Sequence, residues 1–204
     1  MRRGPARAML PVVLAALVLG PFSPAGAAAP EGCVELLEDG GFEAGGQGWV
    51  QESAQGNPLV SDFFPHQGAL GAFLAGTNTA ADRLSHAVSL PAGKTLTLSF
   101  WWALSTQETA GAFDRLAVEL VDPASGAVLA TPAAFDNSSA ASWEWGQETV
   151  SLSSYAGRAV RLRFSAATDS QSPTSFFIDQ ASLLACEAGP APRGRRYLPI
   201  AGQP

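Results

Sequence analysis

Residues 95–102 read Thr95-Leu96-Thr97-Leu98-Ser99-Phe100-Trp101-Trp102. Leu96, Leu98, Phe100 and Trp102 alternate with Thr97, Ser99 and Trp101. A period of two places the first set on one face of an extended chain and the second set on the other, whereas a helix would repeat its apolar positions at 3.6. The stretch is therefore a half-buried strand. The pattern recurs downstream. Leu116, Val118 and Leu120 alternate with Ala117, Glu119 and Val121, and Val160, Leu162 and Phe164 alternate with Arg161, Arg163 and Ser165. A last strand is expected from about Phe176 to Leu184, and a short alternation lies at Ala87-Val88-Ser89-Leu90. Asp122-Pro123-Ala124-Ser125-Gly126 has the composition of a turn, after which Ala127 to Ala130 begins a return strand. Further turn signals stand at Gly45-Gly46, Asn57-Pro58, Gly76, Pro91-Ala92-Gly93, Gly111, Ala156-Gly157 and Ser172-Pro173. No stretch carries a long helical period. Many short strands with this punctuation indicate an all-β, antiparallel β-sandwich of the jelly-roll kind.

Outward from that core, the termini change character. Arg2, Arg3 and Arg7 precede an apolar run from Met9 to Leu19, and Ala25-Gly26-Ala27 follows. Basic, apolar and small residues in that order form a secretory signal peptide, expected over residues 1–27. The apolar run is too short to span a bilayer, which takes about 20 residues. The sandwich is expected over 28–187. A tail, 188–204, follows, rich in Pro, Gly and Arg and carrying Tyr197-Leu198-Pro199-Ile200. Cys33 and Cys186 are the two cysteines of the chain. Export to an oxidising compartment predicts that they form a disulfide. That bond would set the first and last strands side by side.

The chain has 12 basic and 18 acidic residues. Three arginines fall in the signal and three in the tail, so the sandwich holds six basic residues against all eighteen acidic ones, a net charge of −12. Nucleic acids and anionic membranes need a positive footprint and are excluded as partners on this ground. Catalysis is not expected either. His66 and His86 stand in no metal-protease or CxxC context, there is no GxSxG, and the apolar faces carry few carboxylates.

Ligand contact is the better expectation. Sugars are held by flat aromatic faces together with fixed polar groups. Trp101 points away from the core with Thr97 and Ser99, and Trp143 and Trp145 flank Glu144 in a polar stretch. Phe63, Phe64 and His66 fall in an expected loop, while Arg161 and Arg163 face outward on their strand. Trp101, Trp143, Trp145, Arg161 and Arg163 are the candidate ligand residues. Each also has a plainer reading: packing for the tryptophans, and pairing with carboxylates such as Glu119 for the arginines. Trp49 and Trp102 read as core. Asn137-Ser138-Ser139 fits an N-glycosylation sequon, to which little weight is given.

Three stretches resemble a known family. Leu36-Leu37-Glu38-Asp39-Gly40-Gly41-Phe42-Glu43, with Gly48-Trp49 after it, resembles the "NGGFE…GW" opening of galactose-binding-like jelly rolls, which include many carbohydrate-binding modules of secreted bacterial enzymes. Leu98-Ser99-Phe100-Trp101-Trp102 and Phe113-Asp114-Arg115-Leu116-Ala117-Val118-Glu119-Leu120 resemble the central hairpin of MAM-like members. Leu152 to Gly157, Val160 to Phe164 and Phe177-Ile178-Asp179-Gln180 resemble the family's closing segment. The resemblance implies an extracellular, non-catalytic module that binds a glycan or a cell-surface protein. It also implies a structural Ca²⁺ beside the opening motif and the last strand, where Glu43 and Asp179 match the family's acidic residues. The chain departs from the pattern in having Asp39 for the usual asparagine and Gln180 for the second acidic residue of the closing pair.

Overall fold

The expected central strand is longer than its clearest alternation. In the computed structural model, which describes residues 29–188, it runs over Lys94–Thr106 as β6. The segment expected to be a signal peptide, 1–27, and the tail from residue 189 onward lie outside the described residues. The remaining strands are β1 (Cys33–Glu35), β2 (Trp49–Ser53), β3 (Val60–Ser61), β4 (Gly71–Ala75), β5 (Ala81–Ser89), β7 (Arg115–Val121), β8 (Val128–Asp136), β9 (Gly146–Ser151), β10 (Ala159–Ala167) and β11 (Thr174–Glu187). A single 3-10 turn, Ser153–Tyr155, is the helical element among the described residues.

The strands form two antiparallel sheets. One has the order β3-β4-β11-β6-β9, with β1 also on β11, and the other has the order β2-β5-β10-β7-β8. Leu96, Leu98, Phe100 and Trp102 of the first sheet face Leu84, Leu116, Val118, Leu120, Leu162 and Phe164 of the second, and all are buried. The opening motif closes one side of this core. Phe42 is fully buried, and Trp49 packs at 5.4 Å from it and 6.0 Å from Phe164. The fold class read from the alternation is thus the observed one.

β11 organises the first sheet. Its whole length pairs with β6, while its other edge is divided between β4, at Ser175 to Ile178, and β1, at Leu184 to Cys186. Between these partners lies a bulge. Asp179 pairs with Trp101 and Ser182 with Ser99, so β11 carries one extra residue, and Gln180 takes φ 49°. An extra residue exchanges the faces of a strand. Phe176 and Ile178 point into the core before the bulge, and Leu183 and Ala185 do so after it. Periodicity that switches phase within one strand is why the sequence showed its two halves less clearly than β6.

Cys33 pairs with Cys186 in the β1–β11 ladder, and their sulfurs are bonded, with the Cα atoms 4.0 Å apart. The staple and the strand neighbours expected from it are both present. The strands β2, β3 and β4 had no clear alternation. β3 is two residues long, and in Gly71–Ala75 both faces are largely covered.

Candidate functional site

The outer face of the β11/β6 sheet is where the sequence and the structure differ most in content. Phe177 and Ala103 point away from the sandwich core, yet both are fully buried. A second aromatic layer covers them. Phe177 stacks on Phe73 at 5.4 Å and on Trp143 at 5.7 Å, and meets Phe64 edge-on at 5.1 Å. Phe64 lies parallel to Trp145 at 5.5 Å, and His66 lies flat on Trp101 at 4.0 Å with 14° between planes. His66 also meets Trp145 edge-on at 5.2 Å, which joins Trp101 to the rest. Phe63 and Trp143 form the outer rim of the layer, 51% and 49% exposed. Such offset and edge contacts contribute about 0.5–1.5 kcal/mol each beyond area burial.

Two loops supply the layer, and each is held by specific backbone bonds. The Trp143 N–H donates to Leu104 O at 2.7 Å, which places its φ at 67° and turns the ring outward. The 63–70 loop is tied by two carboxylates. Asp179 Oδ2 accepts the N–H groups of His66 and Gln67, both at 2.9 Å, and Oδ1 accepts that of Gln180. Glu43 accepts those of Ala69 and Leu70 at 2.9 and 3.0 Å. At Gly68, φ +77°, a Cβ would lie 2.2 Å from Glu43 Oε1, so a larger residue would break this anchor. Gln180 Oε1 reaches His66 Nδ1 at 2.6 Å and fixes the ring over Trp101.

The resemblance implied a cation between Glu43 and Asp179. Their oxygens instead face N–H dipoles, which repel a positive ion, and no group of three His, Cys, Asp or Glu among the described residues converges to hold a metal. In this arrangement both carboxylates serve as acceptors for loop N–H groups. Asp39 explains one departure from the family pattern. Its Oδ1 accepts the Ala44 N–H and its Oδ2 those of Gly46 and Gln47, at 3.0, 2.8 and 2.9 Å. An asparagine offers one acceptor oxygen for these three donors.

Burial raises the Asp179 carboxyl above its ordinary value of 3.8, and the N–H bonds from Gln67, Gln180 and His66 only partly oppose that. The negative form is kept useful by those donors and by the nearby His66 ring.

The candidate ligand residues divide between two faces. Trp101, Trp143 and Trp145 are brought together by Phe64 and His66. Arg161 and Arg163 lie on β10, in the other sheet, and cannot meet a ligand on the aromatic layer. Arg163 Nε is 2.7 Å from Glu119 Oε2, the pairing that its alternation with Glu119 allowed. Asn137 of the sequon is buried. Its Oδ1 accepts the Phe113 and Asp114 N–H groups and its Nδ2 donates to Gly111 O, so it is a structural residue of the loop. The sequence reading missed Phe73 and Phe177 as supports of the layer. The expected last strand included Phe177, but nothing in the sequence showed that loops would roof its outward side.

Beside the aromatic layer the same face turns polar. Register sets Gln147 against Trp101 and Thr149 against Ser99. The site is thus a shallow aromatic platform with hydroxyl and amide groups along one side. An open groove of about 520 Å³ beside β2 and β5 is lined by polar side chains such as Gln51, Asn57 and Arg83 together with Ala54 and Ala81.

No protein-family model and no curated protein matches the chain. Solved structures do. The K3 cleaved adhesin domain of Lys-gingipain from Porphyromonas gingivalis W83 superposes with a TM-score of 0.56 at 20% identity, over 75% of this chain and 99% of that one. The carbohydrate-binding module TmCBM61, solved with β-1,4-galactotriose, gives 0.54 at 18% identity, over 74% and 97%. The Stig cyclase Fisc from Fischerella sp. TAU gives 0.50 at 15% identity, over 76% and 99%. The chain therefore shares the two-sheet β-sandwich fold of these structures. The presence of a cyclase among the similar structures means that the fold does not by itself decide between binding and catalysis.

Proposed function

We propose that the chain is an exported, non-catalytic binding module that takes a neutral glycan on the aromatic platform of its β11/β6 sheet. The observation that carries this reading is the pair of half-exposed rings, Phe63 and Trp143, seated on a rigid aromatic layer outside the core. A sugar ring presents an apolar face to such rings, and its hydroxyls reach polar groups like Gln147 and Thr149. The net acidity of the sandwich favours a neutral chain over an anionic polysaccharide. Export is supported by the signal-like start of the sequence and by the disulfide. β-1,4-Galactan is the first glycan to test, since the similar TmCBM61 was solved with β-1,4-galactotriose.

The test is glycan-array binding followed by calorimetry on the hits. Trp143→Ala and Phe63→Ala are expected to abolish binding or weaken it by tenfold or more, with the β-sheet circular dichroism kept and a modest drop in melting temperature. Binding that survives both substitutions moves the site elsewhere. The second reading, a protein-contact module, is favoured by the same exposed rings and the openness of the face. Absence of any glycan hit, together with a protein partner whose capture is lost in Trp143→Ala, would establish it.

A calcium ion at Glu43 and Asp179 stands as a separate proposal, and it would have to displace the loop N–H groups. A melting temperature raised by Ca²⁺ in the parent chain but not in Glu43→Gln would support it. Unchanged melting leaves both carboxylates as loop anchors.

A further inference from the structure

In a regular strand the side chains of Asp179 and Gln180 would point to opposite faces. The bulge of β11 changes that. Gln180 takes φ 49°, and its side chain reaches the same loop that Asp179 holds. Bulges re-aim side chains, and a non-glycine residue persists in the left-handed region where its surroundings fix it. The result is a double hold on one residue. The Asp179 carboxylate accepts the His66 N–H at 2.9 Å, and Gln180 Oε1 lies 2.6 Å from His66 Nδ1. Both the backbone and the ring of His66 are therefore set by consecutive residues of β11.

The Gln180 amide is oriented from its other end. Its Nε2 donates to Gln67 Oε1, so Oε1 is the atom turned to the imidazole. An amide oxygen only accepts. Nδ1 then carries the proton, and in the neutral ring Nε2 is left as an acceptor. Among the described residues His66 Nε2 has no hydrogen-bond partner, and the buried polar atoms that lack one are on Asp82, His86 and Asp114 instead. His66 Nε2 is thus an acceptor open to solvent. The ring lies flat on Trp101 at 4.0 Å, so it closes that face of Trp101 to a ligand and is itself the outer group at this end of the layer. Trp145, edge-on to it at 5.2 Å, and then Phe64 connect it to the exposed Trp143.

We propose that His66 is a ligand-binding residue of the platform, presenting Nε2 as a fixed acceptor to a glycan hydroxyl, and that Gln180 is the positioning residue that keeps the proton on Nδ1. The assignment rests on the glycan reading of this face. Aromatic faces supply apolar area to a sugar but do not tell one hydroxyl arrangement from another, and that choice falls to a few placed polar groups. Gln147 and Thr149 carry rotatable groups that can donate or accept. His66 Nε2 accepts only, in a direction set by its stacking on Trp101 and its contact with Gln180. It therefore selects a ligand with a hydroxyl at that point over one that has lost or capped it.

The experiment uses the full chain. Without ligand, NMR of the imidazole nitrogens reads the tautomer directly. A single Nδ1–H form is expected for His66, and Gln180→Leu should replace it by a mixture. An Nε2–H ring in the parent, or an unchanged signature in Gln180→Leu, overturns the proposal. With ligand, calorimetry uses β-1,4-galactotriose first and then each glycan returned by the array. His66→Asn keeps a polar group beside Gln180 but removes the Nε2 position, and should weaken binding about five- to tenfold, as loss of one hydrogen bond does. His66→Gln, whose amide oxygen reaches that position, should recover part of the loss. Binding that Trp143→Ala removes and His66→Asn leaves intact overturns this assignment alone. A parent chain that binds no glycan overturns the glycan reading and this assignment with it.

Discussion

Asp179 shows how much a single residue can carry. The resemblance implied that it ligates a cation, and in the structure it receives the N–H groups of His66 and Gln67 from the facing loop. Its raised carboxyl makes a pH prediction. The folded state holds the proton more tightly than the unfolded chain, so this group's contribution is fully present below the ordinary value of 3.8 and is lost as pH rises through the raised native value. Asp136, lowered first by the Ser138 hydroxyl and N–H, runs the other way: its contribution is present above the ordinary value and is lost as pH falls through the lowered one. Denaturant unfolding across that range should therefore show a pH-dependent segment that disappears in Asp179→Asn, and an unaltered profile would sink the assignment. The aromatic layer separates by residue too. Phe177→Ala removes its buried centre and should cost about 3–5 kcal/mol. Trp143→Ala, at a half-exposed rim but in contact with Phe63, Phe64 and Phe177, should cost less than Phe177→Ala, about 1–3 kcal/mol.

Among elements, β11 decides most. Its bulge lets one strand serve β4 with one half and β1 with the other, and it opens the ladder where the Gly40 carbonyl receives the Ala181 N–H at 2.8 Å. Backbone approach at this point is so close that a Cβ on Gly40 would lie 1.7 Å from Ala181 O. Gly40→Ala must therefore move the opening motif or the bulge. A loss of about 2–3 kcal/mol is expected by denaturant titration, at the upper end of overpacking costs, with faster hydrogen exchange at Ala181. A stability equal to that of the parent would show that the opening motif is not held there. The alternation in β6, β7 and β10 was legible because each strand buries one face against the other sheet. β2, β3 and β4 were not legible: two are short or edge-facing, and β4 is covered on both sides, so neither yields a clean period of two.

At the scale of the molecule, the disulfide closes a loop with a sequence separation of 153. Chain entropy alone would assign it about 5 kcal/mol. β1 and β11 are already paired in the sheet, however, so part of that ordering is supplied by the ladder. Cys33→Ser with Cys186→Ser should cost about 2–4 kcal/mol, keep the β-sheet circular dichroism, and speed hydrogen exchange chiefly in β1 and the end of β11. Loss of the sheet signal on reduction would mean that the staple creates the fold rather than securing its ends.

Some properties follow from the sequence by itself. Period-two alternation needs only local geometry, and it specified the sandwich and which of Trp101 and Trp102 faces the core. Charge bookkeeping and two cysteines at opposite ends needed no coordinates either. The tertiary structure alone decided which outward residues share a surface. It gathered Trp101, Trp143 and Trp145 under one aromatic layer, put Arg161 and Arg163 on the opposite sheet, and left Asp114 buried without a partner for Oδ2. The reason is physical: alternation tells a side chain's face within its own strand, but strand order and loop closure, set by contacts distant in sequence, determine what it meets there.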